Sequence, residues 1–355
     1  MAQKTFIHHS CPECGSNLKY GAGRRKLVCT NCSYSRNLQQ NSTQVAKRNL
    51  SDGVKLEGFE KGLYKTFQEV HCKSCGTYFA AENHTVINQC PYCGGTEFEN
   101  STRQQEVFQP YNIIPFTIPR KFVEKKLRRF LSTSLFGGNP FLPSGIGAVT
   151  KPDRLKGVYI PAFMMDAFVR TTWKAELAMT YMEQRGKKQV KKTIWEPTAG
   201  YFEHFYSDLF FPISHGGDQG WIEQIPWNTR ELVAFDSRYM GDWWVELYQN
   251  NEMDAFVMAD LYTDADAEGK AMGRMPDGEG MRKYELNSEK MSLTFKHVLV
   301  PLWATSFEYK GEIFQYFING QTGKMVGEKP LSNTKIYILV AAIILLLSSL
   351  ILLST

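Results

Sequence analysis

The chain has 355 residues, of which 43% are hydrophobic and 13% aromatic, so most of it is expected to fold, into two or three domains. Its 41 basic and 36 acidic residues give a net charge of +5, which is too small to indicate nucleic-acid binding by itself. The first ten residues, MAQKTFIHHS, lack the apolar stretch of a secretory signal, and we expect no such signal.

The eight cysteines form two matched sets. Residues 11–32 contain two Cys-x-x-Cys pairs separated by fourteen residues, and residues 72–93 repeat this arrangement 61 positions later. Four thiolates at this spacing are typical of a closed tetrahedral zinc site, because the hairpin between the pairs brings them onto one ion. We therefore predict two structural zinc ions, one bound by Cys11, Cys14, Cys29 and Cys32 and the other by Cys72, Cys75, Cys90 and Cys93.

Other chemistry is possible for these cysteines. Disulfides or a redox-active Cys-x-x-Cys are the alternatives, which two matched sets without a signal peptide disfavour. Metal sites that combine one Cys-x-x-Cys pair from each unit are a further alternative. Each unit, at about 25 residues, is too short for a sizeable core, so metal would contribute much of its folding free energy. A site closed by four cysteines leaves no position for water or substrate, which predicts a structural role.

A polar linker and a basic helix follow the cysteine units along the chain. The linker, at 37–70, contains NLQQNSTQ. Residues 113–138 begin with prolines and then favour a helix, with Phe122, Leu127, Phe130 and Leu131 expected on one face. The other faces carry Arg120, Lys121, Lys125, Lys126, Arg128 and Arg129. A solvated helix face is the ordinary explanation; contact with anionic lipid or an acidic partner is the alternative.

Most of the remaining chain favours β-structure. The stretch GVYIPAFMMDAFVRTTW, from Gly157, is apolar on both alternating faces, as in a central strand. TIWEPTAGYFEHFYSDLFF, from Thr193, predicts two further strands, and the basic residues 185–192 before it predict an exposed hairpin tip. Three more strands near the C-terminus are separated by Lys310-Gly311 and Asn319-Gly320, both typical of hairpin turns.

Two helical insertions complete the predicted α+β domain, which an antiparallel sheet dominates. One is expected in PWNTRELVAFDSRYM, with Asn228 as N-cap and Glu231 three residues later, and another over part of 251–262. The predicted segments are a zinc ribbon at 1–36, the linker at 37–70, a second ribbon at 71–100, the β-rich domain at 101–334 and a membrane anchor at 335–355.

No catalytic motif is convincing. NGQTGKM (319–325) lacks the spacing and the Ser or Thr of a phosphate loop, and DADAEGKAMGRM (264–275) has Met275 where a calcium loop needs a bidentate Glu. The spacing of His204, Asp208, His215 and Asp218 fits no compact metal site. We find neither a G-x-S-x-G elbow nor an H-E-x-x-H helix, so an enzyme is not predicted.

The C-terminal segment predicts a membrane anchor. Residues 336–354, IYILVAAIILLLSSLILLS, are uncharged, and nineteen residues at about 1.5 Å each span roughly the ~30 Å hydrocarbon core of a bilayer. Lys324, Lys329 and Lys335 precede the segment. This asymmetry, like the thiol-rich metal sites, places the preceding domains in the cytosol. We expect a single-pass protein of the cytoplasmic membrane.

The order of these motifs resembles a family of bacterial double-zinc-ribbon membrane proteins, often labelled TFIIB-type zinc ribbon proteins or the primosomal helicase. The resemblance covers nearly the whole chain and rests mainly on NGQTGKMVGEKPLS (319–332) followed by the apolar helix. The family is encoded beside phage-shock-protein-A (ESCRT-III-like) and stomatin-like SPFH proteins. The resemblance implies a membrane-bound adaptor that recruits such proteins to the cell envelope, with a role in envelope stress. No helicase motor motif accompanies it.

The main hypothesis is therefore a non-enzymatic, membrane-anchored zinc-ribbon adaptor. The alternative is an envelope-associated nucleic-acid-binding protein that uses the ribbons and basic clusters. Arg24, Arg25 and Lys26 lie at the predicted tip of the first ribbon, but the corresponding stretch of the second, FAAENHTV, is nearly uncharged. A tandem nucleic-acid reader would be expected to repeat the basic tip, so nucleic acid is the less favoured partner.

Overall fold

The fold is sheet-dominated α+β, as predicted from the sequence. The computed structural model describes residues 10–38, 48–49, 67–82, 88–100, 110–134, 138–150, 154–240, 243–249 and 252–354. Within these ranges the strands form one three-stranded and one twelve-stranded sheet. Most of the predicted linker, including NLQQNSTQ, lies outside the described residues.

The strands, in chain order, are β1 (Leu18–Gly21), β2 (Lys26–Cys29), β3 (Ser35–Asn37), β4 (Arg48–Asn49), β5 (Phe67–Cys72), β6 (Tyr78–Glu82), β7 (Phe98–Asn100), β8 (Asn112–Ile113), β9 (Lys156–Arg185), β10 (Lys188–Pro212), β11 (Val233–Ala234), β12 (Trp244–Glu246), β13 (Met281–Tyr309), β14 (Glu312–Asn319) and β15 (Met325–Gly327). The α-helices are α1 (Arg120–Phe130), α2 (Gln219–Glu223), α3 (Glu252–Met272) and α4 (Asn333–Ser354).

Three very long antiparallel strands organise the large sheet, in the order β10-β9-β13. In the first part of β9, the side chains on both faces of the strand are buried. Tyr159 and Phe163 belong to one hydrophobic cluster, and Val158 and Ile160 belong to another. Because successive side chains in a strand point to opposite faces, the sheet is covered on both sides here. The prediction of a central strand that is apolar on both faces is confirmed.

The distal parts of the same strands project from this core as an arm. Helix α3 covers one face of the arm with small residues spaced by four, namely Ala255, Ala259, Thr263, Ala267 and Ala271, all buried. Ala267 and Ala271 pack with Trp173 and Phe202 of the arm, whereas Ala255 and Ala259 belong to the main core cluster. The opposite face carries ion pairs such as Arg170–Glu203. The hairpin tip falls at Gly186, whose φ of +64° suits glycine, so the tip predicted at 185–192 is confirmed.

Three details differ from the sequence prediction. TIWEPTAGYFEHFYSDLFF forms one strand, β10, rather than two, because a bulge at Asp208 (φ +55°) absorbs the irregularity without ending the ladder. The helix predicted in PWNTRELVAFDSRYM is absent from this described stretch. Asn228 and Asp236 instead each accept a backbone N–H and cap single 3₁₀ turns, and β11 pairs with β8 between them. Helix α3 continues to Met272, ten residues beyond the predicted 262.

Helix α1 forms where it was predicted, and Leu127, Phe130 and Leu131 of its predicted apolar face pack on the core, but Phe122 does not belong to that face. Val123 and Leu127 are fully buried, together with Leu131, whereas Phe122 is 47% exposed. At about 100° per residue, Phe122 lies well away from Leu127 around the helix. Val123 takes the place on the buried face to which Phe122 was assigned.

The C-terminal strands pair as a meander before the last helix. β13 and β14 are joined by Lys310 and Gly311, both with positive φ, as the hairpin prediction requires. Between β14 and β15 the left-handed residue is Gly323 rather than Gly320. Helix α4 follows, and its segment Asn333–Leu350 is long and apolar enough to cross a membrane, with none of it buried against the rest of the protein.

Overpacking the contact between α3 and the arm should destabilise the protein. Ala267 is fully buried, so Ala267→Leu forces extra methylene groups into a filled space at a cost of ~1–3 kcal/mol. We expect a lower thermal midpoint by circular dichroism. Leu261→Ala, on the same helix at 67% exposure, is the control and should change the midpoint little. Equal midpoints for both variants would mean that α3 does not pack on the arm.

Candidate metal centres

The structure brings each predicted set of four cysteines together. In the first set, the Sγ atoms of Cys11 and Cys32 lie 3.5 Å apart and those of Cys14 and Cys29 lie 3.4 Å apart. In the second set, the Cys72–Cys93 and Cys75–Cys90 Sγ distances are 3.6 and 3.7 Å. All four sulfurs of each set lie within 4.8 Å of one another. None forms a disulfide, so each set can offer four separate thiolate ligands.

Local turn geometry explains how each Cys-x-x-Cys pair is shaped. Gly15, Gly76 and Gly94 each follow the second cysteine of a pair and have φ between +70° and +77°. Each donates its N–H to the carbonyl of the first cysteine, at 2.8–3.0 Å. Only glycine adopts this conformation without strain. Cys-x-x-Cys-Gly was therefore a further signal in the sequence, present in three of the four pairs and replaced by Ser33 in the other.

Backbone N–H groups also point at the sulfurs. The amides of Asn31 and Cys32 both donate to the Cys29 sulfur at 3.3 Å, and the amide of Gly95 donates to the Cys93 sulfur at 3.4 Å. Such hydrogen bonds favour thiolate over thiol, as a metal ligand requires.

Hydrogen bonding separates the pKa values within each set. The Ser16 amide and hydroxyl lower the pKa of Cys14 to about 6. Hydrogen bonding with Cys90 lowers the pKa of Cys72 to about 6, whereas hydrogen bonding with Cys75 raises the pKa of Cys93 to about 12. The lowered values favour the thiolate form that a metal ligand needs. A cation bound by all four sulfurs would displace the remaining protons, so its binding should weaken in acid.

The first cysteine unit has its own sheet, β1-β2-β3, and docks on one face of the large sheet through side chains. The ring of Tyr20 meets Tyr239 edge to face at 5.1 Å, and the Tyr159 hydroxyl donates to the Tyr239 carbonyl from the large sheet. The guanidinium of Arg25 lies 3.0 Å from Glu231. Leu18, Tyr20 and Leu27 join the cluster that contains Tyr159 and Phe163.

The second cysteine unit is part of the large sheet itself. β6 pairs with the short strand β12, which pairs in turn with β9. Side chains of the second cysteine unit, among them Phe79 and Tyr92, join the cluster on the opposite face of β9, which also contains Trp244 and Phe317. The two cysteine units thus pack against opposite faces of one sheet.

Tyr92, between Cys90 and Cys93 in sequence, connects this unit to a buried carboxylate. Its hydroxyl donates to Glu246 Oε2 at 2.6 Å, the Ser214 hydroxyl donates to the same oxygen at 2.8 Å, and the His215 amide donates to Oε1 at 2.6 Å. Tyr92 and Glu246 are both buried. Three hydrogen bonds make the burial of this acid tolerable.

Sequence reasoning missed the Tyr92–Glu246 pair, although two signals were present. In the other three cysteine pairs, the position of Tyr92 holds the polar residues Glu13, Asn31 and Ser74, so a large aromatic residue there is unusual. Glu246 is the one acidic residue in the run WWVELY (243–248). An acid inside an apolar strand needs buried hydrogen-bond donors, but their identity depends on chain segments far away in sequence.

The remaining sequence candidates do not assemble in the described residues. His204, Asp208, His215 and Asp218 form no ligand cluster there, and the two cysteine sets are the only such groups found. Asp208 N donates to Asp166, and Asp218 caps α2. DADAEGKAMGRM begins inside helix α3 rather than in a loop, with Asp264 paired to Lys290. NGQTGKM forms the β14–β15 turn, where Asn319 Oδ1 accepts from two backbone amides.

The buried carboxyl predicts a pH dependence of stability. Burial raises the pKa of Glu246 from 4.5 to about 7, so the folded chain holds its proton more tightly than the unfolded chain does. This contribution is fully present below about pH 4.5 and is lost as the pH rises through 7. The stability of the wild type relative to Glu246→Gln should therefore fall by about 1.4 kcal/mol per pH unit across this window.

Chemical unfolding midpoints at several pH values measure this difference, with metal content checked in each sample. Glu285→Gln is the control, because this carboxyl is exposed and salt-bridged to Lys174 at the surface. The stability of the wild type relative to Glu285→Gln should not fall as the pH rises from 4.5 to 7. A constant difference for Glu246→Gln from acid to neutral pH would show that the carboxyl titrates normally.

Comparison with known proteins gives no functional assignment. No family model matches the chain, and no solved structure matches it. The chain is similar to the uncharacterized protein YdjG of Bacillus subtilis (strain 168), with 23% identity over 341 residues that cover 93% of this chain and 92% of that protein. The similarity extends over nearly the full length of both proteins.

Proposed function

We propose that the protein is a membrane-anchored zinc-ribbon adaptor that recruits cytosolic proteins to the cytoplasmic membrane and performs no catalysis itself. One observation carries the proposal: two sets of four cysteines and an apolar helix that is not buried belong to the same folded chain. Such an arrangement displays rigid protein surfaces beside a bilayer.

The donor set supports zinc as the metal. In a tetrahedral site with Zn–S bonds of about 2.3 Å, neighbouring sulfurs are about 3.8 Å apart. The closest contacts in the two sets, 3.4 to 3.7 Å, approach this value. Zinc would hold the small units in shape and would provide no open position for substrate. This favours a structural role.

The C-terminal helix supports attachment to the membrane. Burial of its apolar side chains is not supplied by the rest of the protein, and a bilayer would supply it. Lys335, at its first turn, donates to the carbonyls of Pro140 and Leu142, which fixes the start of the helix to the folded domain. Basic residues at this end favour a cytosolic location for the domain.

Recruitment follows from tethering. A protein held at the membrane raises the effective concentration of whatever it binds there, so weak contacts suffice. Phage-shock-protein-A-like (ESCRT-III-like) and SPFH proteins are the partners that the resemblance implies, and envelope stress is the setting. The outward surfaces of the two cysteine units, on opposite faces of the sheet, are the proposed contact sites.

Metal analysis of the full chain in detergent should give two zinc ions per chain. Cys14→Ser and Cys72→Ser should each reduce this to one, because a closed site loses most of its affinity with one thiolate. Cys72 is fully buried and Cys14 is exposed, so Cys72→Ser should also lower the thermal midpoint more.

Ser74→Ala is the matched control, since this exposed residue lies between Cys72 and Cys75 but is no ligand. It should retain both ions. One zinc per wild-type chain, or the absorption spectrum of an iron–sulfur cluster, would refute the metal assignment.

Localisation of a fluorescent phage-shock-protein-A-like partner tests recruitment. Deletion of residues 337–355 removes the apolar helix but keeps Lys335 and its contacts. A larger share of the partner should be cytosolic in cells that carry this deletion, because the transmembrane attachment is lost, and the partner should still co-purify with the shortened variant. In Cys72→Ser cells the partner should leave the membrane and should not co-purify, because the second cysteine unit is disrupted.

A nucleic-acid-binding protein would behave differently. The shortened variant would then bind DNA or RNA in a salt-dependent manner, and neutralising Arg24, Arg25 and Lys26 would abolish the binding. Such binding at physiological salt, with no protein partner recovered, would replace the adaptor proposal. The ion pair of Arg25 with Glu231 argues against this outcome.

A further inference from the structure

The net positive charge of the protein equals the net charge of one short helix, α1. The chain has 41 basic and 36 acidic residues, and α1 alone contains six basic residues and one acidic residue. The rest of the chain therefore has 35 of each. The eleven residues of α1 therefore carry a charge equal to the entire net charge of +5, which makes this helix a strong local attraction for an anionic partner.

The basic residues of α1 fall into two groups. Arg120 and Lys126 are used inside the fold: Arg120 donates to the Leu155 carbonyl and Lys126 donates to the Gly323 carbonyl. The other four are exposed and have no hydrogen bond or ion pair to any residue in the described part of the chain. These four, which we call the outer cations, are Lys121, Lys125, Arg128 and Arg129.

The outer cations share one face of the helix. At about 100° per residue they fall within an arc of roughly 100°, and exposed Phe122 lies at its edge. Val123, Leu127 and Leu131, which bury the helix in the domain, lie on the opposite side. Because the apolar face of α1 is buried in the protein, the exposed face offers a cluster of four cations, which is typical of a contact with anionic lipid headgroups next to a membrane-spanning helix.

The helix is also close to the start of the apolar helix α4. Lys329 Nζ lies 4.2 Å from the centre of the Phe130 ring, at the end of α1. Lys329 is four residues before Asn333, where α4 begins, which is a reach of at most about 14 Å. In addition, Ser332 N donates to the Phe141 carbonyl in the loop that follows α1. The basic helix and the base of α4 thus belong to one packed region.

We propose that the outer cations of α1 bind the headgroups of anionic phospholipids in the bilayer that α4 spans. This inference rests on the membrane anchoring in the proposed function but not on recruitment of any partner. Each basic residue near an anionic surface strengthens binding about fivefold, so four act as a substantial second attachment. Their effect is to fix the domain in one orientation on the membrane.

Lysine footprinting of the full chain in nanodiscs tests the contact directly. Acetylation rates of Lys121 and Lys125 should be several-fold slower in nanodiscs of equimolar phosphatidylglycerol and phosphatidylcholine than in phosphatidylcholine alone. Lys187 and Lys188, exposed at the tip of the arm, are internal controls and should react equally in both. Equal rates for Lys121 and Lys125 in the two lipids would overturn the proposal.

Vesicle flotation of the chain without residues 337–355 provides a second measurement. It should float with phosphatidylglycerol-containing vesicles and not with phosphatidylcholine vesicles. K121Q/K125Q/R128Q/R129Q should lose at least 100-fold in partitioning, because each lost cation costs about fivefold. K187Q/K188Q/K191Q/K192Q removes the same charge from the hairpin tip and should keep partitioning within a few fold. Zinc content and circular dichroism establish that each variant is folded.

Three results would contradict the lipid contact. These are equal loss of flotation in the two quadruple variants, flotation that is insensitive to lipid charge, and binding of the outer cations to duplex DNA without flotation. The last would assign this face to nucleic acid. Partner recruitment is measured separately in cells, so a failure of the adaptor proposal would leave the flotation result unchanged, and the reverse also holds.

Discussion

The ladder between β9 and β13 is the interaction on which the rest of the structure depends. Near the core, β9 also pairs with β12 and β13 also pairs with β8 and β14, so most other strands reach the fold through these two. Both faces of this part of the ladder are buried, by Tyr159 on one side and Val158 on the other. Antiparallel strands this far apart in sequence must close a long loop before they gain any contact, which makes the ladder the costly step of folding.

The same cysteine motif is attached to this ladder in two ways. The first unit keeps a separate three-stranded sheet and makes side-chain contacts through Tyr20 and Arg25. The second contributes β5, β6 and β7 to the large sheet and buries Tyr92 against Glu246. Loss of metal should therefore be local in the first unit, whereas in the second it reaches the core of the protein. The two units share a sequence motif but differ in how they are connected to the core.

Much of this could be predicted from the sequence, for identifiable reasons. The cysteine sets, the hairpin at Lys310-Gly311 and the apolar helix are local patterns, and local patterns carry their own geometry. The errors concern properties that depend on distant residues. Asn228 caps one turn instead of a helix because β11 pairs with β8, and Glu246 is buried because Tyr92 and Ser214 approach it from elsewhere. Neither partner is visible from the flanking sequence.

The length of β9 determines how far the tip of the arm lies from the core. From Tyr159, in the core next to β12, to Arg185 at the tip, β9 runs through 26 further residues, or about 85 Å of strand. A folded domain of 100 residues has a radius of gyration of only about 13 Å. Two proteins of ordinary size can therefore occupy the tip and the base together without touching, and neither has to leave before the other arrives.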